Sequence, residues 1–439
     1  MTMKIFKSFF ILSILLPSLL LADGRIYIKI GEPEFKKPVL AFNSRCLLET
    51  CPQIKELEDV LSSDMLFSNV LMLLSKDLYP SEEKKTDIGA WKVSGAEYFL
   101  TMDFQRRSIN AKLTSLRTNE EIFYDNFKIS DRVIDTAHMI SNQVYYRLTG
   151  QKGIFDTKIA FIGKRLKESN KNLFIMDYDG RRIKQVTSYK TIMVSPTWSP
   201  DGRYIAYTRY AQTRYSGKGR LMNPNLYLYD VKRDKEKLIA NFQGQNSGAA
   251  WSPDGKTIAF TSSKDGSPNI FLYNIDDETV SSLIQNPGMD VEPSFSPDGK
   301  SLVFSSSRTG NPELYRMDLN TKKQTRLTFS RYYNSSPSWS PAGDRIAFAG
   351  LDNPLGKKRA YFDVFLVSPT GNSIERLTID SGNNEDPSWS SDGRHLVFTS
   401  TRHGGSDIYF INNDGTGEKR LTNGILCYSP DWSPSSSWK

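Results

Sequence analysis

The residues able to do chemistry are few and widely spaced. The chain has three histidines, His138, His395 and His403, and three cysteines, Cys46, Cys51 and Cys427. No histidine stands at a zinc-type spacing from a cysteine. A serine hydrolase of the elbow type needs a G-x-S-x-G string to expose its nucleophile, and none occurs. Nucleophilic catalysis therefore lacks its parts, and the chain reads as a non-enzyme. Carboxylates do pair up, as Asp290 with Glu292 and Glu385 with Asp386. Such a group has the composition of a hard-cation site and equally that of solvated loops, so no metal and no cofactor is assigned. Cys46 and Cys51 are close enough to bridge in the loop before Pro52. Two separate thiols are the other reading, and an odd count leaves at least one thiol unpaired.

The elements that carry these residues declare themselves through a repeat. Trp198-Ser199-Pro200-Asp201-Gly202 returns as Trp251 to Gly255, Phe295 to Gly299, Trp339-Ser340-Pro341-Ala342-Gly343, Trp389-Ser390-Ser391-Asp392-Gly393 and a last Trp432-Ser433-Pro434, at spacings of 53, 44, 44, 50 and 43 residues. Ser-Pro-Asp-Gly suits a type I turn, with Pro fixing φ at the second position and Gly at the fourth. An apolar strand follows each turn, as in Tyr204 to Tyr207 and Thr257 to Phe260, then a third strand such as Asn269 to Tyr273, then a short fourth such as Gln324 to Thr328. Four short strands every ~40–45 residues make a propeller blade. The aromatic heading each turn is expected to pack between blades.

The ends of the array set the blade number. It opens at Lys158-Ile159-Ala160-Phe161, a second strand with no turn motif ahead of it, and finishes on Pro430-Asp431-Trp432 with no strand behind it. The two halves make one blade beside five complete ones. The expected fold is a small α/β N-terminal domain plus an all-β six-bladed β-propeller closed by the C-terminal strand. Closure of this kind removes exposed sheet edges.

Ahead of the repeat, residues 1–22 have the order of a cleaved secretory signal: Lys4 and Lys7, an apolar run from Phe9 to Leu21, then Ala22. The run is short for a bilayer span, which needs ~20 residues, so no membrane insertion is expected after cleavage. The net charge of +8 drops to +6 without that segment. The densest basic run, Lys357-Lys358-Arg359, sits in a Gly/Pro-flanked loop and makes no contiguous nucleic-acid surface. Residues 23–150 read as an α/β domain: a strand at Pro38 to Phe42, a helix from Gln53 to Phe67, a strand at Ala96 to Leu100, a hairpin of Ser108 to Leu116 with Glu121 to Ile129, and a helix capped by Asp131. Residues 151–157 link it to a propeller over 158–439. In the 23–37 stretch, Ile26, Ile28 and Ile30 alternate with Tyr27 and Lys29 before Gly31 and Pro33. That pattern fits an ordinary first strand or a detachable segment that pairs with a partner's sheet edge.

The junction from Tyr146-Arg147-Leu148-Thr149-Gly150 through Phe155 to Phe161, the start Arg25-Ile26-Tyr27-Ile28 and the W-S-P-D-G turns together resemble the TolB family of the Tol–Pal system. The likeness covers nearly the whole mature chain. Ala342 and Ser391 depart from the turn motif, and Ser435 to Lys439 depart from the family's usual ending. The resemblance implies a periplasmic, monomeric binding protein that supports outer-membrane integrity and constriction at cell division. It implies two partners: the peptidoglycan-associated lipoprotein Pal at one propeller mouth, and TolA on the mature N-terminal segment.

Two sets of contact residues follow. The start of each innermost strand supplies the mouth: Met193, Gln245, Asn246, Asp290, Glu292, Asn334, Glu385, Asp386 and Tyr428. By family likeness, Glu292 ahead of Pro293 and the Gln245-Asn246 pair match the lipoprotein-binding mouth. Arg25, Ile26, Tyr27, Ile28 and Ile30 form the N-terminal set. A propeller holding a small ligand or cell-wall fragment is the alternative. An accessory domain of a prolyl-oligopeptidase-type hydrolase is a further one, and the missing nucleophile elbow counts against it.

Overall fold

The computed structural model describes residues 37–68, 70–129, 132–215, 219–329, 333–351, 360–379 and 381–435, with backbone alone at positions 214, 215, 219 and 220. The signal region and the 23–36 stretch, with all five N-terminal contact residues, lie outside the described residues, as does Asp131.

The first domain is a five-stranded mixed sheet with helices packed on it. Strand β1 (Val39–Cys46) runs parallel to β2 (Met72–Leu73) on one side and β3 (Tyr98–Phe104) on the other, and β4 (Ser108–Ser115) and β5 (Glu121–Lys128) continue antiparallel. Helix α1 (Ile54–Ser68) buries Leu57, Val60, Leu61 and Met65, which recur at steps of three and four and so form one face. A short helix α2 (Ile88–Val93), not expected from the sequence, is capped by Asp87 and buries Trp91. Helix α3 (Val133–Thr149) starts behind Arg132, whose side chain makes no capping bond, and stops at Gly150 with φ 72°. That left-handed turn favours glycine, which has no Cβ to clash. Cys46 and Cys51 are bridged, with Cα atoms 5.8 Å apart. Cys427 is a buried free thiol that burial pushes up to about 12, too high to react as a thiolate.

Residues 151–157 are no free tether. Ile154, Phe155 and Thr157 are buried. Asn142 of α3 donates to Asp156 at 2.8 Å and accepts from the Phe155 amide at 3.2 Å. A Cβ at Gly153 would fall 2.2 Å from the Asn142 side-chain oxygen, so a larger residue there displaces the amide that makes both bonds. One continuous apolar cluster runs from the first sheet through α1 and α3 into Ile159, Phe161, Tyr178, Phe410 and Trp432 of the propeller.

The propeller has six four-stranded antiparallel sheets. Blade 1 combines Ile425–Trp432 from the C-terminus with Lys158–Arg165, Asn172–Asp177 and Lys184–Gln185, so the last strand pairs with the first and closes the ring. Blades 2 to 6 begin with inner strands Met193–Trp198, Asn246–Trp251, Asp290–Phe295, Tyr333–Trp339 and Asn384–Trp389. Each ends in the expected turn: Gly202, Gly255, Gly299, Gly343 and Gly393 donate their amides to the serine carbonyl three residues back at 2.8–3.0 Å. The serine hydroxyl then bonds the turn aspartate, as Ser252 to Asp254 at 2.6 Å. Ala342 removes that acceptor, and Ser340 reaches Asp344 instead at 2.8 Å. Trp389 donates its indole N–H to the Ser338 carbonyl of the preceding blade at 3.0 Å, which ties neighbouring blades together.

Candidate functional site

Antiparallel order sorts the loops onto two faces. Inner strands start on one face and end at the Ser-Pro-Asp-Gly turns on the other. The second-to-third-strand turns and the connections between blades share the starting face, as the 2.9 Å bonds between Met289 and Ser307 illustrate. The turn face carries the first domain: Arg394, beside the blade 6 turn, donates to the Tyr145 hydroxyl of α3. The starting face is the free mouth.

Each inner strand is broken by a bulge. Ser195, Gly248, Glu292, Ser336, Asp386 and Ser429 take φ of 47–60° at equivalent positions, five of them just before a proline. A left-handed residue in a strand costs free energy and re-aims the side chains around it. Here all six bulges face a central cavity of about 170 Å³ that they line together. Hydrogen bonds cross it from blade to blade. Glu292 accepts from the Ser336 amide at 2.7 Å, and Asp386 accepts from the Ser336 hydroxyl at 3.0 Å and the Ser429 hydroxyl at 2.9 Å. Deeper, Asp431 accepts from the Trp198 amide at 2.7 Å and the Ser388 hydroxyl at 3.2 Å. No group of three or more His, Cys, Asp or Glu arranged for a metal is found among the described residues.

Burial pushes the Glu292 carboxyl up from 4.5 to about 7, with Asp386 and Glu385 adding repulsion and the Ser336 amide opposing it. Burial likewise lifts Asp431 to about 7. A carboxyl whose folded value exceeds its unfolded value favours folding below the unfolded value and loses that contribution as pH rises through the folded one. These two carboxyls are therefore expected to lower the melting temperature between about pH 4.5 and 7, against an opposite contribution from His395, whose value burial lowers. Glu292→Gln flattens part of that fall, as thermal melts across this range will read out. A parallel slope in both proteins removes Glu292 as a cause.

The expected mouth residues divide into two groups. Gln245, Glu292, Glu385, Asp386 and Tyr428 are half-buried at the mouth or in the cavity. Met193, Asn246, Asp290 and Asn334 are buried, which places them out of reach of a docked surface. Their work is internal. Asp290 forms a two-bond pair with Arg308 at 2.9 Å, Asn246 donates to the carbonyls of Pro224 and Phe242, and Asn334 donates to Glu313 at 2.8 Å. Glu313 also pairs with Arg326 and Thr328, and Asp363 with Asp407 repeat that role toward Arg376 and Arg420. These groups tie the third and fourth strands of a blade together and, through Asn246, Asn334 and Asn384, hold them to the inner strand of the next blade.

Sequence reasoning missed a collar of exposed apolar side chains. Ile192, Met289, Phe329, Tyr333 and Ile379 lie in or beside the connections that lead into inner strands, and Leu166 lies in a second-to-third-strand turn. All are on the mouth face. Phe329 and Ile379 are each 70% exposed. A signal was available: each directly follows an Arg-Leu-Thr fourth strand, where a polar turn residue is the ordinary choice.

A family model described as the TolB beta propeller domain matches residues 145–359. The Tol-Pal system protein TolB of Alcanivorax borkumensis is 30% identical over 194 residues, 43% of each chain. Its namesake in Francisella tularensis subsp. tularensis is 31% identical over 247 residues, 52% of each. The matched stretch thus spans about half the length of these curated relatives. Among solved structures, TolB from Acinetobacter baumannii superimposes with a TM-score of 0.77 at 25% identity, covering 91% of this chain and 97% of that one.

Proposed function

We propose, from the premise that this chain carries a propeller of the TolB family, that it is a periplasmic protein-binding component of the Tol–Pal envelope complex and not an enzyme. The observation that carries the reading is the crowding of exposed apolar side chains on the mouth face, opposite the face that the first domain covers. Large exposed apolar side chains gathered on one face, where polar turn residues are the ordinary choice, are the expected mark of a surface that another macromolecule covers. A polar, hydrogen-bonded cavity at the centre of an apolar collar suits a protein loop: backbone and polar tips meet the cavity groups and apolar flanks cover the collar. The resemblance assigns this mouth to Pal and the segment around Arg25 to Ile30 to TolA. No helix among the described residues is long and apolar enough to cross a membrane.

Capture assays with purified Pal and TolA test both assignments together. Phe329→Ser with Ile379→Ser is expected to weaken Pal on the order of tenfold to a hundredfold, since well-packed apolar anchors dominate such interfaces. The melting temperature stays put because both side chains are exposed. A chain beginning at Pro38 keeps Pal and loses TolA. Unchanged Pal affinity in the double variant removes the collar as the contact, and TolA retained by the shortened chain removes the N-terminal assignment.

A further inference from the structure

Five of the six inner strands end on a tryptophan, and their indole N–H groups meet two fates. Trp339, Trp389 and Trp432 donate to the Gly343 carbonyl, the Ser338 carbonyl and the Thr157 hydroxyl at 3.3, 3.0 and 2.8 Å. The Trp198 and Trp251 indole nitrogens are buried and find no partner among the described residues. Each of these two borders a cleft between neighbouring blades on the turn face. The Trp198 cleft, between blades 1 and 2, is also lined by His138 and Met139 of α3. The Trp251 cleft, between blades 2 and 3, has no lining residue from the first domain, which bonds to blades 1 and 6 through Tyr178 and Arg394. A buried N–H without an acceptor costs free energy, and an acceptor carried in by a ligand returns it.

The Trp251 cleft has a volume of about 690 Å³, within the range of small-ligand sites. Its blade 2 wall includes the outer strand Lys235–Ala240, six residues long where the outer strands of the other blades have two or three. Lys237 of that strand reaches across the blade boundary to Glu278 at 2.6 Å. The lining is aromatic: the half-buried Trp251 and Tyr204 rings lie 19° from parallel with centroids 6.4 Å apart, and Tyr273 joins them. Two carboxylates border the rings. Asp201 and Asp254 use Oδ1 for the serine hydroxyl and an amide of their own turns, and Oδ2 makes no bond among the described residues. Cations border them too. Arg203 is spent on Asp230 at 3.2 Å, but the Arg233 side chain is 69% exposed and only 4.0 Å from Asp230, and Lys235 makes no ion pair among the described residues.

Aromatic faces edged by both donors and acceptors suit a sugar ring. Its C–H face lies on the negative face of an aromatic ring. Its hydroxyls, each a donor and an acceptor, give protons to carboxylates and take them from an indole N–H. A peptide carbonyl meets the same N–H, but a backbone offers one donor per residue in a line and makes little use of acceptors on both walls. The exposed Arg233 and Lys235 add a demand for negative charge, best met by a carboxylate. We propose that the blade 2–3 cleft on the turn face binds an acidic saccharide, with Trp251 and Tyr204 as the stacking surface, the Trp251 N–H and the Asp201 and Asp254 carboxylates on its hydroxyls, and Arg233 and Lys235 on its carboxylate. The site lies on the face opposite the mouth and is independent of which protein occupies that mouth.

The test is titration of the full mature chain, labelled with nitrogen-15 at tryptophan, with three probes: the disaccharide of N-acetylglucosamine and N-acetylmuramic acid, a disaccharide containing glucuronic acid, and neutral chitobiose. The Trp251 indole N–H resonance, assigned by its loss in Trp251→Phe, is expected to move downfield with an acidic probe. Calorimetry is expected to give an acidic probe an affinity on the order of tenfold above chitobiose, and Arg233→Gln with Lys235→Gln to erase that difference. Both positions are exposed, so this variant keeps the wild-type melting temperature. Trp251→Phe is expected to weaken every saccharide that binds by about three- to tenfold, the loss of one hydrogen bond. It folds, because Phe295 holds the equivalent place in blade 4. Binding of the muramic acid probe alone supports the proposal and names a wall-derived ligand; binding of both acidic probes supports the class. A Trp251 resonance unmoved by either acidic probe overturns it, as does chitobiose binding as tightly as they do. So does a shift of the same resonance by an acidic peptide when no saccharide moves it.

Discussion

A chain lacking residues 428–439 is expected to be insoluble or to melt far below the full-length protein. The deletion removes most of Ile425–Trp432, the inner strand of blade 1, whose pairing with Lys158–Arg165 is the seam of the ring. Trp432 is buried, contacts Phe410 edge-on, and donates its indole N–H to Thr157 at 2.8 Å. Loss of such a side chain alone costs about 3–5 kcal/mol. The Asp431 bonds to blades 2 and 6 go with it, and Ser433 no longer receives the Lys158 amide at 2.8 Å. Against a total stability of about 5–15 kcal/mol the sum is decisive. The deletion also bares the backbone of a central strand, an open template for aggregation. Soluble yield and the thermal midpoint read the outcome. A truncated chain that melts with the wild type refutes the seam.

Asp64→Ala is expected to uncouple the two domains. Asp64 on α1 is fully buried and accepts from the Tyr178 hydroxyl of blade 1 at 2.6 Å, and its other oxygen lies 2.9 Å from His138 Nδ1 on α3. Burial and the Asp64 charge raise the Tyr178 hydroxyl well above its ordinary value, so it remains a donor. Alanine leaves two buried polar groups without a partner, each costing about 1–3 kcal/mol. Because they belong to both sides of the junction, the loss falls on docking more than on either core. Calorimetry should resolve two transitions where the wild type shows one. Asp64→Asn keeps an acceptor for Tyr178 and offers an amide to His138, so it restores most of the coupling. A single transition at the wild-type temperature in Asp64→Ala rules out this cluster as the coupling element.

What the sequence determined by itself is what local chemistry writes. A Ser-Pro-Asp-Gly turn closes on its own serine carbonyl, a strand alternates at period two, and half a repeat at each end implies closure; each can be read without knowing its neighbours. The same holds for the helical faces of α1 and α3. The tertiary structure decided which residues of the mouth face outward. Asp290 and Glu292 stand two apart and in a regular strand would share a face. The bulge between Val291 and Ser294, with Glu292 at φ 55°, separates them: Glu292 turns into the cavity while Asp290 is held against Arg308. The same irregularity recurs around the ring, so spacing alone put Met193, Asn246 and Asn334 on the surface when packing buries them. The Asp64–His138–Tyr178 cluster was likewise invisible, because its members are 74 and 114 residues apart and meet only once α1, α3 and blade 1 share a core. The apolar collar belongs to the same class: Phe329 and Ile379 lie far apart in the chain, and the closed ring sets them on one face.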